Sequence, residues 1–215
     1  MPRTTERFPM LRVFDHPLIL HKLTRARDAA TPPDEFRRLL NEIAGLMVFE
    51  VSRHFPVAPA EVETPLARAA GVRLARPVTL APILRAGLGM TDGILRLFPE
   101  ARVGHIGIQR DEGSHLPVAY YARLPEDVAA GPVLVIDPML ATGGSAVHAV
   151  THLRERGCRD IQLVCLVAAP EGVARMQDVH PHVPIYAAAL DERLDDRAYI
   201  VPGLGDAGDR LFGTF

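Results

Sequence analysis

The run Val133-Leu-Val-Ile-Asp-Pro-Met-Leu-Ala-Thr-Gly-Gly-Ser145 brings together residue types that bind anions. Its first four residues, apolar and mostly β-branched, read as a buried strand. The strand ends at an acid, Asp137, and runs through a short loop into Thr142-Gly143-Gly144-Ser145. Apolar Ala146, Val147, Val150 and Leu153, set against charged Arg154, Glu155 and Arg156, predict an amphipathic helix directly after it. Adjacent glycines let backbone N–H groups converge on one point, and a helix N-terminus adds partial positive charge. The hydroxyls of Thr142 and Ser145 supply further donors. Such a loop suits a phosphate, and Asp137 beside it suits hydroxyl groups or a metal ion. Taken alone, the same residues would also serve as a tight strand-to-helix turn with Ser145 as an ordinary N-cap. The loop carries no Lys, which separates it from the P-loop of nucleoside triphosphatases.

Other residues fit a ligand with several phosphates. Arg85 lies in Leu84-Arg-Ala-Gly-Leu-Gly89, a glycine-containing segment between a predicted strand (Val78–Ala81) and a predicted helix (Met90–Leu97). Arg110 opens the polar turn Arg110-Asp-Glu-Gly-Ser-His115 between two extended runs, Arg102–Gln109 and Leu116–Ala122, which suggests a hairpin arm. A guanidinium beyond a strand end offers bidentate bonds to phosphate oxygens, although a lone arginine is more often a solvated surface charge. Gly203-Leu-Gly-Asp-Ala-Gly208 matches the dinucleotide pattern in letters, but no clear helix is expected after it and no acid follows at the required distance. Gly87-Leu-Gly-Met-Thr-Asp-Gly93 is a looser turn of that type. His148 and His152 have the spacing of a zinc pair, yet no third ligand is suggested, and a solvated helix face is the simpler account.

These groups need a scaffold. The chain has 215 residues, 48% hydrophobic and 23% charged, which suits one α/β unit with a substantial core. Thr31-Pro-Pro-Asp34 starts a helix, with Thr31 as cap, that runs to about His54 and turns Phe36, Leu39, Leu40, Ile43, Met47 and Val51 to one side. A Pro- and Ala-rich linker leads to a shorter helix near Pro65–Ala70, completing an N-terminal helical part over about residues 1–75. From residue 78 strands and helices alternate, with further strands at Ile161–Ala168 and Ile185–Ala188 and a helix at Pro170–Val179. This predicts a mainly parallel sheet flanked by helices, with ligands beyond the carboxyl ends of its strands. The glycine-dense tail keeps Leu204, Leu211 and Phe212, so it reads as an ordered covering loop. A net charge of −2 gives no general attraction to nucleic acid or anionic membrane, and no apolar run approaches membrane-spanning length. The N-terminus lacks a signal-peptide core, and the two cysteines, Cys158 and Cys165, read as buried reduced thiols, so a cytoplasmic location is expected.

Four segments together carry a family resemblance: Asp137-Pro-Met-Leu-Ala-Thr-Gly-Gly-Ser145, Pro82-Ile-Leu-Arg-Ala-Gly-Leu-Gly-Met90, Val167-Ala-Ala-Pro-Glu-Gly172 and Tyr199 to Thr214. With His16-Pro-Leu near the start, they resemble the uracil phosphoribosyltransferases over nearly the whole length. The resemblance implies the type I phosphoribosyltransferase fold in one domain (1–215), with a β-hairpin arm at about 103–123 and a C-terminal base-covering loop at about 190–215. It implies conversion of uracil and 5-phosphoribosyl 1-diphosphate to UMP and diphosphate, with Mg²⁺ as cofactor. Ala141, Thr142, Gly143, Gly144 and Ser145 would hold the 5′-phosphate. Asp137 would bond the ribose hydroxyls, with Pro138, Met139 and Leu140 completing that loop. Arg85 and Arg110 would hold the diphosphate. Ile200, Gly205, Asp206 and Ala207 would meet uracil, and Asp206 would also reach the donor and orient base or metal. GTP activates some members and is a candidate effector, and a homodimer or higher homo-oligomer is implied.

Two positions depart from wider patterns. Most type I phosphoribosyltransferases carry two adjacent acids where this chain has Asp137-Pro138, a loss the uracil branch shares and one that favours Asp137 as an acceptor of ribose hydroxyls. Gln109 stands where the family often has Tyr. Other readings are an RNA-binding regulator of the same fold, which should show a basic face, a sister enzyme for purine bases, which the tail disfavours, and a nicotinamide oxidoreductase.

Overall fold

The computed structural model describes residues 2–4, 6–110 and 117–214, with the side chains of residues 109, 110 and 117–119 outside the description. The chain begins with β1 (Arg3–Thr4), β2 (Leu11–Val13), α1 (Pro17–Arg27) and α2 (Pro33–Val51), and a single 3-10 turn follows α2. A hairpin of β3 (Val57–Glu63) and β4 (Arg68–Leu74) precedes β5 (Thr79–Leu84), α3 (Leu88–Leu95), β6 (Arg102–Val103), β7 (His105–Arg110) and β8 (Pro117–Arg123). The remainder is β9 (Val133–Ile136), β10 (Met139–Leu140), α4 (Gly144–Glu155), β11 (Ile161–Ala168), α5 (Pro170–Val179), β12 (Ile185–Leu190), β13 (Arg193–Leu194), β14 (Ile200–Val201) and α6 (Ala207–Phe212).

The main sheet runs β1-β2-β12-β11-β9-β5-β7-β8, parallel from β2 through β7 and antiparallel at its two outer pairs. Both faces are covered, which is why its central strands read as unbroken apolar runs. In β9, Leu134 and Ile136 pack with α1, α2, α3 and α6, while Val133 and Val135 pack with α4 and α5. Every residue of β11 is buried. The mainly parallel sheet with flanking helices is therefore the architecture expected from the alternation of strand and helix. The antiparallel pair β7–β8 forms the expected hairpin, and its turn residues 111–116 lie outside the described residues.

Local expectations need three corrections. The helix cap moves by one residue: Pro32 occupies the N-cap of α2 and Pro33 the first turn, while the Thr31 hydroxyl donates to the Arg25 carbonyl at 2.6 Å. No helix forms at Pro65–Ala70. Residues 57–74 pair as β3 and β4, from Val57 opposite Leu74 to Glu63 opposite Arg68, so the N-terminal part is not wholly helical. The Thr64 hydroxyl accepts from the Leu66 and Ala67 amides and closes a turn where the expected helix would start. Finally, a short helix, α6, begins within the Gly203–Gly208 run, at Ala207. The Asp206 carboxylate caps it by accepting from the Asp209 amide at 2.9 Å.

Candidate active site

The carboxyl ends of β5 and β9 lie side by side, because Pro82 is in register with Ile136. Asp137 leaves β9 one residue later, and its own amide still reaches the Val164 carbonyl of β11 at 3.2 Å. Pro138, Met139 and Leu140 follow, the last two pairing with Val167 and Ala168 as β10. This pairing puts Ala141 and Thr142 just past the carboxyl end of β11. Gly143 then takes φ +76°, a left-handed conformation that favours glycine, and α4 starts at Gly144. A Cβ on Gly143 would stand 2.8 Å from the Gly172 carbonyl oxygen, so the loop is also pressed against the start of α5. Among the described residues the amides of Thr142 to Ala146 donate to no protein acceptor, and the Thr142 and Ser145 hydroxyls have no protein partner. A cluster of free donors at the start of a helix of this length is an anion cradle.

Asp137 is half-buried at the mouth of this loop. Desolvation pushes its carboxyl up to about 7, and one long bond from the Met139 amide, 3.4 Å, offsets only part of that. Behind it on β11 lies Cys165, whose thiol is pushed up by burial and then by the Asp137 charge, leaving it an inert packing group.

Arg85 follows β5 directly, across a cis Leu84–Arg85 peptide. Its guanidinium is exposed, 3.9 Å from Asp209 Oδ1 and 5.5 Å from the centre of the Phe212 ring. Arg110 closes β7, next to β5 in the sheet. With Gly107 opposite Leu84, its backbone lies about 10 Å beyond the end of β5 at the usual rise per residue. Its side chain lies outside the described residues.

The tail returns over the same end of the sheet. Its β13 and β14 pair antiparallel, with Leu194 opposite Ile200, and the Val201–Pro202 peptide is cis. Ile200 and Ala207 are buried, so only their backbone groups are available to a ligand, whereas Gly205 is exposed at φ +74°. Asp206 commits Oδ1 to its helix cap and keeps its second oxygen. Beside the tail opens a cavity of about 320 Å³ lined by Thr31, Leu204, Gly205, Asp206, Asp209 and Arg210. A larger groove, about 930 Å³, lies around Phe14, Leu18, Phe49 and Leu97, and neither Arg85, Asp137 nor Asp206 lines it. The structure thus gathers Arg85, the 137–145 loop and the 200–207 tail at one end of the sheet.

Residues that the sequence did not single out hold the tail there. Arg210 donates to the carbonyls of Ala26, Asp28 and Leu204 at 2.6–2.9 Å and lies 4.1 Å from the centre of the Phe36 ring. It thereby satisfies carbonyls at the end of α1 that have no partner within the helix. Arg37 donates to the Leu211 carbonyl at 2.6 Å, and Arg27 pairs with Asp191 at 2.6 Å beneath Gly203. The basic last turn of α1 was a visible signal, but nothing local names partners so far along the chain.

The family model for uracil phosphoribosyltransferase matches residues 13–214. A protein of Halalkalibacterium halodurans named uracil phosphoribosyltransferase is 58% identical over 203 residues, covering 94% of this chain and 97% of its own length. One of the same name from Bacillus cytotoxicus is 57% identical over 205 residues, covering 95% and 98%. Among solved structures, a protein from Aquifex aeolicus superposes with a TM-score of 0.89 at 37% identity, over 94% of this chain and 97% of that one. A hypoxanthine-guanine phosphoribosyltransferase from Bacillus anthracis, with a TM-score of 0.51 at 11% identity over 74% and 79%, shares the fold. By the extent of the family match and the identity to these relatives, the chain belongs to the uracil phosphoribosyltransferase family.

Proposed function

We propose that this protein transfers the 5-phosphoribosyl group of 5-phosphoribosyl 1-diphosphate to N1 of uracil, giving UMP and diphosphate, as a step of pyrimidine salvage. The observation that carries the reading is the run of unpartnered amides from Thr142 to Ala146 beside Asp137, in a chain of this family. In this reading Ala141 to Ser145 hold the 5′-phosphate, and Asp137 accepts from the ribose hydroxyls, with Pro138, Met139 and Leu140 fixing its loop. Anchoring one end of the donor sets the anomeric carbon at a constant position relative to the base.

Departure of diphosphate leaves positive charge on the ribose and negative charge on the leaving group. Arg85 and Arg110 are the cations assigned to the latter, acting as preorganised charge. The donor set also suits Mg²⁺, a hard ion that favours oxygen ligands and often enters with substrate phosphates. With Asp137 given to the ribose hydroxyls, the free oxygen of Asp206 would be the protein's ligand to it. No group of three or more metal-ligating side chains occurs among the described residues. When bound, Mg²⁺ would neutralise leaving-group charge.

The flat base is assigned to the tail. The backbone of Ile200, Gly205, Asp206 and Ala207 offers donors and acceptors that can mirror uracil's N3–H and carbonyls. Phe49, Leu66, Val72 and Leu97 are exposed apolar side chains of the kind an oligomer covers, and at least a dimer is part of the reading. Among the described residues no helix is long and apolar enough to cross a membrane, and two buried free thiols support the cytoplasm as compartment. Uracil-dependent release of diphosphate from the donor, slowed at low donor concentration in Arg85→Ala, tests the proposal; donor cleavage that does not depend on a pyrimidine base would refute it.

A further inference from the structure

The end of α1 faces the tail and not the phosphate loop. Arg27 Nη2 and Nη1 reach Asp191 Oδ1 and Oδ2 at 2.6 and 2.8 Å, a two-pronged ion pair. The carboxylate, just beyond β12, is 5% exposed. Both side chains also close on a single residue of the tail. The Gly203 amide donates to Asp191 Oδ2 at 2.9 Å, and the Gly203 carbonyl accepts from Arg27 Nη1 at 2.6 Å. Gly203 has φ +60°, and a Cβ there would lie 2.0 Å from the Ile200 carbonyl oxygen. The turn between Ile200 and Gly205 is thus held from below by a cation and an anion in a fixed order.

An ion pair that merely joined α1 to β12 would have no need of Gly203. A loop that reads a base through its backbone does need such a clasp, because backbone donors and acceptors are only as selective as their placement is exact in space. We propose that Arg27 and Asp191 are positioning residues for base selection, acting through Gly203 on the Ile200–Ala207 segment. The inference deepens the function proposed above and rests on it. It assigns to this pair the affinity for the base and the discrimination between bases, leaving the donor side to the 137–145 loop.

The test compares Arg27→Met, Arg27→Lys, Asp191→Asn and the exchanged pair R27D/D191R with the unaltered protein. In the single variants KM for uracil should rise on the order of tenfold, as expected for the loss of about one hydrogen bond to the base, while KM for the donor stays within about twofold. Preference for uracil over cytosine should fall in parallel. Arg27→Lys keeps the charge and much of the fold, but one ammonium cannot serve both carboxylate oxygens and the Gly203 carbonyl, so it should show the same split in milder form. The exchanged pair restores opposite charges yet sets a cation against the Gly203 amide and an anion against its carbonyl. It should regain melting temperature relative to the single variants without regaining KM for uracil. Equal rises in both KM values, or recovery of uracil KM in the exchanged pair, would overturn the assignment. Hydrogen exchange at the Gly203 amide gives a readout independent of turnover: it should quicken in every variant, and unchanged protection would also overturn it. Failure of the unaltered protein to use uracil would sink the proposed function instead, while exchange at Gly203 still decides whether the pair holds the loop.

Discussion

Arg85 and Asp209 face each other across 3.9 Å, so the loop that follows β5 meets the helix that ends the chain. The guanidinium is 60% exposed, and an ion pair so open to solvent contributes little stability. Its effect is on orientation: in the proposed function Arg85 exchanges this carboxylate for a diphosphate oxygen. Asp209→Asn should leave melting unchanged and lower KM for the donor slightly, whereas Arg85→Ala should raise it on the order of tenfold or more. Initial rates against donor concentration decide this. A donor KM untouched by Arg85→Ala would contradict the assignment.

In the proposed function Arg110 is the second cation for the diphosphate, on a strand, β7, that pairs with β5. Arg110→Ala should raise KM for the donor, with a smaller change in KM for uracil. If uracil KM rises more than donor KM, the arm belongs to the base side and the division of labour proposed here is wrong.

The phosphate loop depends on the left-handed turn at Gly143. In Gly143→Ala the Cβ would meet the Gly172 carbonyl oxygen at 2.8 Å while the backbone sits at φ +76°. The two effects together should cost about 1–2 kcal/mol. For a chain of this size that lowers the melting temperature by about 2–8 °C. KM for the donor should rise with it, and a variant that melts and binds donor like the parent would show that the turn is not a constraint on the cradle.

Asp137 makes stability and donor affinity respond to pH in opposite senses. Its carboxyl, raised to about 7 by desolvation, keeps its proton in the folded chain after the unfolded chain, with an ordinary value near 3.9, has lost it. The stability linked to this group is therefore full below about pH 4, declines as pH rises and is lost above about pH 7. Asp137→Asn has no such proton to lose, so its melting temperature relative to the parent should improve from about pH 5 to about pH 8. Donor affinity of the parent should climb over the same range, because ribose hydroxyls donate to the ionised form. A melting difference that does not vary with pH would contradict the shift.

Much of this was legible in the sequence because the physics was local. Continuous apolar runs at Val133–Ile136 and Ile161–Ala168 follow from a sheet covered on both faces, and paired glycines at 143 and 144 mark the tight turn where the chain passes into α4. The hairpin at 57–74 was not legible. Most of its residues are exposed on both strands, and the half-buried positions of β3 are Ala58 and Ala60, which mark no apolar period of two and read as helical. Helix α6 is only 6 residues long and begins among glycines; it exists because Asp206 caps it and Arg210 anchors it to α1. Arg27 and Asp191 stand 164 positions apart, and only the folded chain brings them to Gly203.

The central claim is the identity of the transferred group and its acceptor. The most direct measurement offers the purified protein the donor, Mg²⁺ and an equimolar mixture of uracil, cytosine, hypoxanthine and orotate, and identifies the nucleotide product by mass. The account predicts UMP as the dominant nucleotide, formed one for one with diphosphate. A different nucleotide, or none while uracil and donor are both intact, would contradict it.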